Sequence, residues 1–148
     1  MKKLNIAIVG LGNIGSYLFK YLSKNKMILA KKNNCIPNVI YLSAKNKNRK
    51  RKIKFNKKMF LNNYLDATKK EDIDLIVELI GGAEGPAKKL VFKALQNKKH
   101  VVTANKALIA KYGDDLSKIA EKNKVNLEFE AAVCGGVPII RSLKEGLI

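Results

Sequence analysis

Three glycines near the start of the chain, Gly10, Gly12 and Gly15, have the G-x-G-x-x-G spacing of a turn that can grip a phosphate. Glycine tolerates φ > 0 and lets another group approach the main chain closely. We expect the first glycine to make the turn, the second to admit a pyrophosphate and the third to let a helix pack on the preceding strand. The residues of this predicted site are Gly10, Leu11, Gly12, Asn13, Ile14 and Gly15.

The sequence on either side of the glycines supports this prediction. Residues 4–9 form a short apolar run, which is typical of a strand buried between helices. After the glycines, Ile14, Leu18 and Leu22 recur at helical spacing. Strand, glycine turn and helix in this order favour dinucleotide binding, because the free N–H groups of the first helical turn face the phosphates. The alternative is a turn with a purely structural role.

Strands alternate with helices along the rest of the chain. Further strands are predicted at residues 39–43, 73–80, 100–103 and 125–129. A turn is predicted at residues 37–38, a helix beginning at residues 84–86, and one more short helix around Leu116. This alternation predicts a single α/β domain with a Rossmann-type, doubly wound parallel sheet and helices on both faces.

Two more segments should meet the glycine turn, because ligands of such sheets bind beyond the carboxyl ends of the strands. Gly81 and Gly82 follow one predicted strand, and we expect them to pass close to a ribose, although an ordinary strand-ending turn fits equally well. Thr103 ends the next strand and Lys106 follows it. The Lys106 ammonium could reach the nicotinamide end of a cofactor, but spacing alone favours a surface lysine.

The type of dinucleotide depends on the end of the second predicted strand. An acidic residue there would bind the ribose hydroxyls of NAD, whereas basic residues accommodate the 2′-phosphate of NADP. Residues 41–47 contain no carboxylate, and Lys45, Lys47, Arg49 and Arg51 lie there or just beyond. The sequence therefore favours NADP(H) over NAD(H). The alternative for the whole basic segment, residues 45–58, is a solvated loop with no role in binding.

The net charge of +18 is the extreme feature of the composition and could indicate a nucleic-acid partner. However, 27 of the 30 basic residues are lysines spread over almost every segment. We therefore predict solvated lysines and no nucleic-acid partner.

Other bulk features exclude several classes of protein. No apolar run approaches the ~20 residues that span a membrane, and the first apolar run is interpreted as a strand. Cys35 and Cys134 lie far apart and form no C-x-x-C motif, so neither a disulfide framework nor a zinc site is indicated. These features fit a cytoplasmic protein.

Three stretches together resemble homoserine dehydrogenase: IVGLGNIGS, then VELIGGAEGPAKKLVFKAL with HVVTANKALIA, then LEFEAAVCGGVPIIRSLKEGL. The resemblance covers nearly the whole chain and is poorest over residues 31–70. Enzymes of this family reduce L-aspartate 4-semialdehyde to L-homoserine with NADPH or NADH, on the way to threonine and methionine. The resemblance thus implies a small-molecule substrate and hydride transfer.

The resemblance also implies roles for particular residues. The glycine turn falls on the family's pyrophosphate loop, and Lys106 falls on the lysine of its T-A-N-K motif, which is regarded as catalytic. Main-chain carbonyls at four positions hold a monovalent cation, usually sodium, in the family. Those positions are Glu130, Val133, Gly135 and Val137. Cys134 stands between them, where a small residue is usual.

The resemblance finally implies a domain organisation. Residues 1–137 correspond to the NAD(P)-binding domain, and residues 138–148 to the start of a helix that leads into a catalytic and dimerisation domain. On this interpretation the chain is an N-terminal fragment, inactive alone, of an enzyme that forms a homodimer. Two alternatives remain: another NAD(P)-dependent dehydrogenase of amino-acid metabolism, and a dinucleotide-sensing module without chemistry.

Overall fold

A computed structural model describes residues 1–133 and 135–146; Cys134 and residues 147–148, which the sequence analysis included, lie outside this range. The chain forms one five-stranded parallel sheet with the strand order β2-β1-β3-β4-β5. The strands are β1 (Lys2–Val9), β2 (Cys35–Ser43), β3 (Leu75–Glu78), β4 (His100–Thr103) and β5 (Leu127–Glu128). The helices are α1 (Asn13–Lys24), α2 (Lys26–Asn33), α3 (Pro86–Gln96), α4 (Lys106–Asn123), α5 (Glu130–Val133) and α6 (Ile139–Gly146).

Helices cover both faces of the sheet, as β1 shows. Ile6 and Ile8 belong to the same buried cluster as Phe19 of α1, whereas Ala7 and Val9 belong to the cluster of α3 and α4. Alternate side chains of a strand point to opposite faces, so β1 is buried between two layers of helices. The predicted doubly wound α/β fold is confirmed.

Several predicted boundaries are wrong. Residues 37–38 were expected to form a turn but lie within β2. Pro37 is tolerated there because β2 is an edge strand, where a missing N–H need not break a ladder. Helix α2 was not predicted, since Ala30 is its only buried residue and it has no apolar stripe. The short helix expected around Leu116 is the 18-residue α4, and β3 is shorter than the predicted strand.

The glycine turn, residues 10–15, packs tightly against the segment that follows β3. Gly10 has φ +111°, and a Cβ atom there would lie 2.4 Å from the carbonyl carbon and oxygen of Leu79. A Cβ atom on Gly15 would lie 2.0 Å from the carbonyl oxygen of Gly10. Only glycine fits these two positions, because the clashing atoms belong to the main chain and cannot swing aside.

A fully buried carboxylate shapes the turn that follows β3. One oxygen of Glu78 accepts hydrogen bonds from the N–H groups of Ile80 (2.6 Å) and Gly81 (3.0 Å). The other oxygen accepts a hydrogen bond from the hydroxyl of Thr103 at the end of β4 (2.5 Å). Three donors compensate for the loss of hydration, which a buried carboxylate requires.

Asn105 extends this network to the start of α4. Its N–H donates to the Thr103 hydroxyl (3.0 Å), and its side-chain amide donates to the carbonyl of Gly82 (2.7 Å). Its side-chain oxygen accepts from the N–H of Leu108 (3.1 Å) and so caps α4. The turns after β3 and β4 are therefore joined by side chains, and the first residue of α4, Lys106, has a defined place beside them.

We predict that Glu78→Gln lowers the free energy of unfolding by about 1 to 3 kcal/mol. The amide can still accept from the two N–H groups, but its NH₂ would face the Thr103 hydroxyl and leave that hydroxyl proton without an acceptor. Urea denaturation would measure the change. Glu121→Gln, on an exposed position of α4, is the matched control and should change stability by less than about 0.5 kcal/mol.

A double-mutant cycle tests whether the network is the cause. Thr103→Val removes the same contact from the other side. The decrease in the free energy of unfolding of the double variant should therefore be smaller than the sum of the two single decreases, by about 1 kcal/mol or more. Strictly additive losses would contradict the network.

Candidate functional site

A cleft of about 710 Å³ lies at the carboxyl edge of the sheet, and we call it the main cleft. It is bounded by the glycine turn, by the start of the basic loop (residues 45–58) and by the residues after β3. Its lining includes Gly10, Leu11, Gly12, Lys45, Leu79 and Ile80. Its volume is typical of sites for cofactors, which occupy roughly 300 to 1,000 Å³. A second cleft of about 400 Å³, the side cleft, shares four lining residues with it: Leu11, Gly12, Arg49 and Arg51.

Gly12, the residue before α1, lines both clefts, whereas Asn13 and Ser16 in the first turn of α1 line the side cleft. Gly12 is the N-cap residue and supplies no side-chain cap, and the first turn contains no acidic residue. The first N–H groups of the helix therefore have no acceptor within it and carry the positive end of the helix dipole. A Cβ atom on Gly12 would meet nothing within 4 Å, so the space above the turn is empty. This open cradle of N–H groups fits a pyrophosphate.

The basic loop borders both clefts. Lys45 lines the main cleft beside the glycine turn, so these predicted residues do come together. Lys47 also lines it, but its ammonium donates to the side-chain oxygen of Asn62 (3.1 Å) and lies 5.7 Å from the centre of the Phe60 ring. Arg51 donates to main-chain carbonyls rather than pointing into solvent. Of these predicted cations, Lys47 and Arg51 thus have hydrogen-bond partners within the protein.

The turn after β3 borders the main cleft through Leu79 and Ile80, whereas the predicted Gly81 and Gly82 are not among its lining residues. Gly81 and Gly82 have φ +85° and +83°, and Cβ atoms on them would meet nothing within 4 Å. They are needed for their backbone conformation rather than for close packing. Thr103 is fully buried and its hydroxyl donates to Glu78. This residue therefore supports the turn after β3 and does not line the main cleft.

Lys106 is the first residue of α4 and is exposed. Among the residues that the structure describes, no hydrogen bond or ion pair holds its ammonium. A cation at a helix N-terminus is disfavoured by roughly 0.3 to 1 kcal/mol, since it meets the positive end of the helix dipole. Lys106 is thus placed where a lysine does not help the fold.

The four residues implied to hold sodium lie in and just after α5. The carboxylate of Glu130 accepts from the N–H groups of Ile140 and Arg141 (both 3.0 Å) and caps α6. The carbonyl of Val137 accepts from the N–H of Ile139 (2.8 Å), and a carbonyl oxygen has a second lone pair for a cation. Gly135 has φ +61° and Val133 ends α5. The carbonyls thus belong to one short segment, of which residue 134 is outside the description.

A charged cluster on the surface links the turn after β3 to α4. Glu84 accepts hydrogen bonds from the ammonium of Lys111 (2.7 Å) and from the hydroxyl of Tyr112. These two donors, the lysine most strongly, lower the pKa of Glu84 to about 2. The ammonium of Lys88 lies 4.0 Å from the centre of the Tyr112 ring. The cluster is outside both clefts and supports the turn from its solvent side.

Sequence reasoning missed Glu78 and Asn105 as supporting residues, and it named Arg51 only as one of the basic residues that favour NADP(H). A signal existed for Glu78, because an acidic residue at the end of an otherwise apolar strand requires partners. A signal also existed for Arg51, which is one of only three arginines in a lysine-rich chain. Asn105 matches the preference of helix N-caps for asparagine.

Within residues 1–133 and 135–146, no helix is long and apolar enough to cross a membrane. The same residues contain no group of three or more His, Cys, Asp or Glu side chains placed to hold a metal ion.

Comparison with known proteins gives a consistent result. A homoserine dehydrogenase of Bacillus subtilis is 37% identical over 147 residues, which are 99% of this chain and 34% of that protein. The structure of a homoserine dehydrogenase from Thiobacillus denitrificans matches with 38% identity and a TM-score of 0.89, over 99% of this chain and 34% of that one. A hyperthermophilic archaeal homoserine dehydrogenase in complex with NADPH, 23% identical with a TM-score of 0.72, shares the fold over 95% of this chain and 48% of that one.

The matches also show which part of a homoserine dehydrogenase this chain corresponds to. The chain spans about a third of the length of the curated relatives that it matches. A family model described as the NAD-binding domain of homoserine dehydrogenase matches residues 10–130. Together with the glycine turn and the parallel sheet, these matches show that the chain belongs to the family of homoserine dehydrogenase NAD-binding domains.

Proposed function

We propose that the main cleft binds NADP(H) and that this domain presents the cofactor for the reduction of L-aspartate 4-semialdehyde to L-homoserine in a longer homoserine dehydrogenase. The observation that carries the proposal is the uncapped start of α1, where Gly12, a residue without a side chain, lines both the main cleft and the side cleft. A nicotinamide dinucleotide is the ligand expected of this family. Residues 1–137 would form its domain, and residues 138–148 would begin the connection to a catalytic and dimerisation domain.

The preference for NADP(H) over NAD(H) rests on charge. No acidic residue lies between the end of β2 and the end of the basic loop, so nothing there repels a 2′-phosphate. Lys45 and Arg49 line the main cleft on this side. The archaeal homoserine dehydrogenase of the same fold was solved with NADPH, which agrees with this preference.

The proposed chemistry assigns one role to Lys106. Bound NADPH would supply the hydride, and reduction of an aldehyde places negative charge on its oxygen. The exposed ammonium at the start of α4 would stabilise that charge or donate a proton to the oxygen. The network of Glu78, Thr103 and Asn105 would hold the lysine in place.

The sodium ion implied by the family is a separate part of the proposal. Carbonyl oxygens of Glu130, Val133, Gly135 and Val137 would hold it, and hard cations prefer such ligands. The bound ion would stiffen the segment between α5 and α6, where the dinucleotide domain would continue into the rest of the enzyme.

The first prediction from this proposal concerns Gly12. Gly12→Val should keep the fold, because a Cβ atom there meets nothing within 4 Å, but should weaken NADPH binding by about 100-fold or more by filling the pyrophosphate space. Fluorescence titration with NADPH would measure the dissociation constant. Gly113→Ala, on α4 and away from both clefts, is the control and should bind like the parent. Unchanged binding by Gly12→Val would contradict the assigned phosphate site.

The second prediction tests the cofactor preference. Replacing Lys45, Lys47 and Arg49 together by Gln should weaken NADPH binding by about 10- to 100-fold and NADH binding much less, since only NADPH carries the 2′-phosphate. The control replaces three exposed lysines elsewhere and removes the same charge. Its substitutions are Lys31→Gln, Lys69→Gln and Lys122→Gln. Equal losses for the two cofactors would show that the basic loop is only solvated.

The third prediction requires the catalytic part, supplied by fusing this chain to the downstream part of the Bacillus subtilis relative. Lys106→Met should leave NADPH binding nearly unchanged and lower kcat by about 10²- to 10³-fold, because the charge acts where the oxygen becomes anionic. Steady-state oxidation of NADPH with aspartate semialdehyde measures this effect. Lys122→Met, at the far end of α4, is the control. If Lys106→Met retained the parental kcat, Lys106 would have no catalytic role.

A further inference from the structure

Arg51 joins the basic loop to the glycine turn. Its Nε donates to the carbonyl oxygen of Leu11 (3.1 Å), which belongs to the turn. Its two Nη atoms donate to carbonyl oxygens of the loop, namely those of Asn46 (2.6 Å), Arg49 (3.0 Å) and Lys47 (3.5 Å). Four of the five N–H groups of the guanidinium therefore point to main-chain oxygens of two separate segments.

The first part of the basic loop, residues 44–52, forms neither helix nor strand and has two other side-chain hydrogen bonds. The N–H of Asn48 donates to the side chain of Asn46 (3.0 Å), and the ammonium of Lys47 donates to the side chain of Asn62 (3.1 Å). Lys45, Lys47, Arg49 and Lys50 are all exposed, and their like charges repel one another. Arg51 is only partly exposed, and its hydrogen bonds oppose that repulsion by tying the loop down.

These contacts suit arginine and not lysine. A guanidinium presents its donors in a rigid planar fork and is weakly hydrated, so it can contact several carbonyls at once. A lysine ammonium concentrates three donors on one atom and could not reach carbonyls on opposite sides. The same contacts leave Arg51 only one free N–H, which is poorly suited to gripping a phosphate.

We propose that Arg51 is a positioning residue that sets cofactor selectivity: it closes the basic loop onto the glycine turn, so that Lys45 and Arg49 face the 2′-phosphate. The inference rests on the proposed binding of NADP(H) in the main cleft. It changes the role that charge alone suggests for Arg51, from a phosphate ligand to the residue that arranges the phosphate ligands.

The test compares charge with shape at position 51 in the 148-residue chain. NADPH and NADH are titrated against the parent, Arg51→Lys and Arg51→Met, with Lys58→Met, an exposed lysine in the same loop, as the control. We expect both Arg51 variants to lose about tenfold in NADPH affinity and less than about threefold in NADH affinity. Retention of NADPH affinity by Arg51→Lys alone would overturn the proposal, because a phosphate ligand needs only the charge.

A rescue experiment separates positioning from a general loss of structure. Arg51→Ala is titrated with NADPH in the presence of ethylguanidinium or, at equal ionic strength, ethylammonium. Recovery with ethylguanidinium alone supports the positioning role, since only that cation reproduces the fork. Equal loss of both cofactors together with a lower melting temperature and no rescue would overturn it.

The same titrations keep this inference distinct from the proposed function. If the parent bound neither NADPH nor NADH, the proposed function would fail and this inference with it. If the parent bound NADPH tightly and the Arg51 variants bound it equally well, only the inference about Arg51 would fail.

Discussion

The carboxylate of Glu78 is buried at the point where the sheet meets its ligand side, and both turns at that edge depend on it. An ion without water requires compensation of several kcal/mol, and here two main-chain N–H groups and one hydroxyl provide it. Because each donor lies at the end of a strand or just after it, satisfying the charge also fixes where the two following turns begin. Asn105 carries the constraint on to the first turn of α4.

Most of the fold could be predicted from sequence, because the relevant signals are local. The glycine spacing and the apolar runs of β1 and β4 depend on residues close together in the chain. The errors have different causes. Pro37 lies in a strand because β2 is at the edge of the sheet, a tertiary position that a local pattern does not contain. The length of α4 was underestimated although Leu108, Leu116 and Ala120 share one buried face at helical spacing, so in this case the signal was local.

The candidate site could be predicted only for residues that line it. Gly12 and Lys45 follow strands whose carboxyl ends meet, so topology alone brings them to one cleft. The residues that hold the lining in place, such as Glu78 and Arg51, have partners in other segments. In a chain with 30 basic residues, composition cannot distinguish an arginine that binds carbonyls from cations that face solvent. Side-chain geometry makes that distinction.

The two sides of the main cleft are held in different ways, and this difference bears on how the domain could change its cofactor. Gly10 packs against the main chain of Leu79, whose N–H donates to the carbonyl of Val9 (2.8 Å), so the glycine turn rests on the segment that Glu78 shapes. The phosphate cradle and the start of α4 therefore share one rigid support. The basic loop contacts that support through Arg51 and through Ile53 and Phe55, which pack in the same apolar cluster as Leu11 and Leu79. Under the proposed binding of NADP(H), substitutions at the exposed Lys45 and Arg49 can therefore alter recognition of the 2′-phosphate without disturbing the cradle or the position of Lys106.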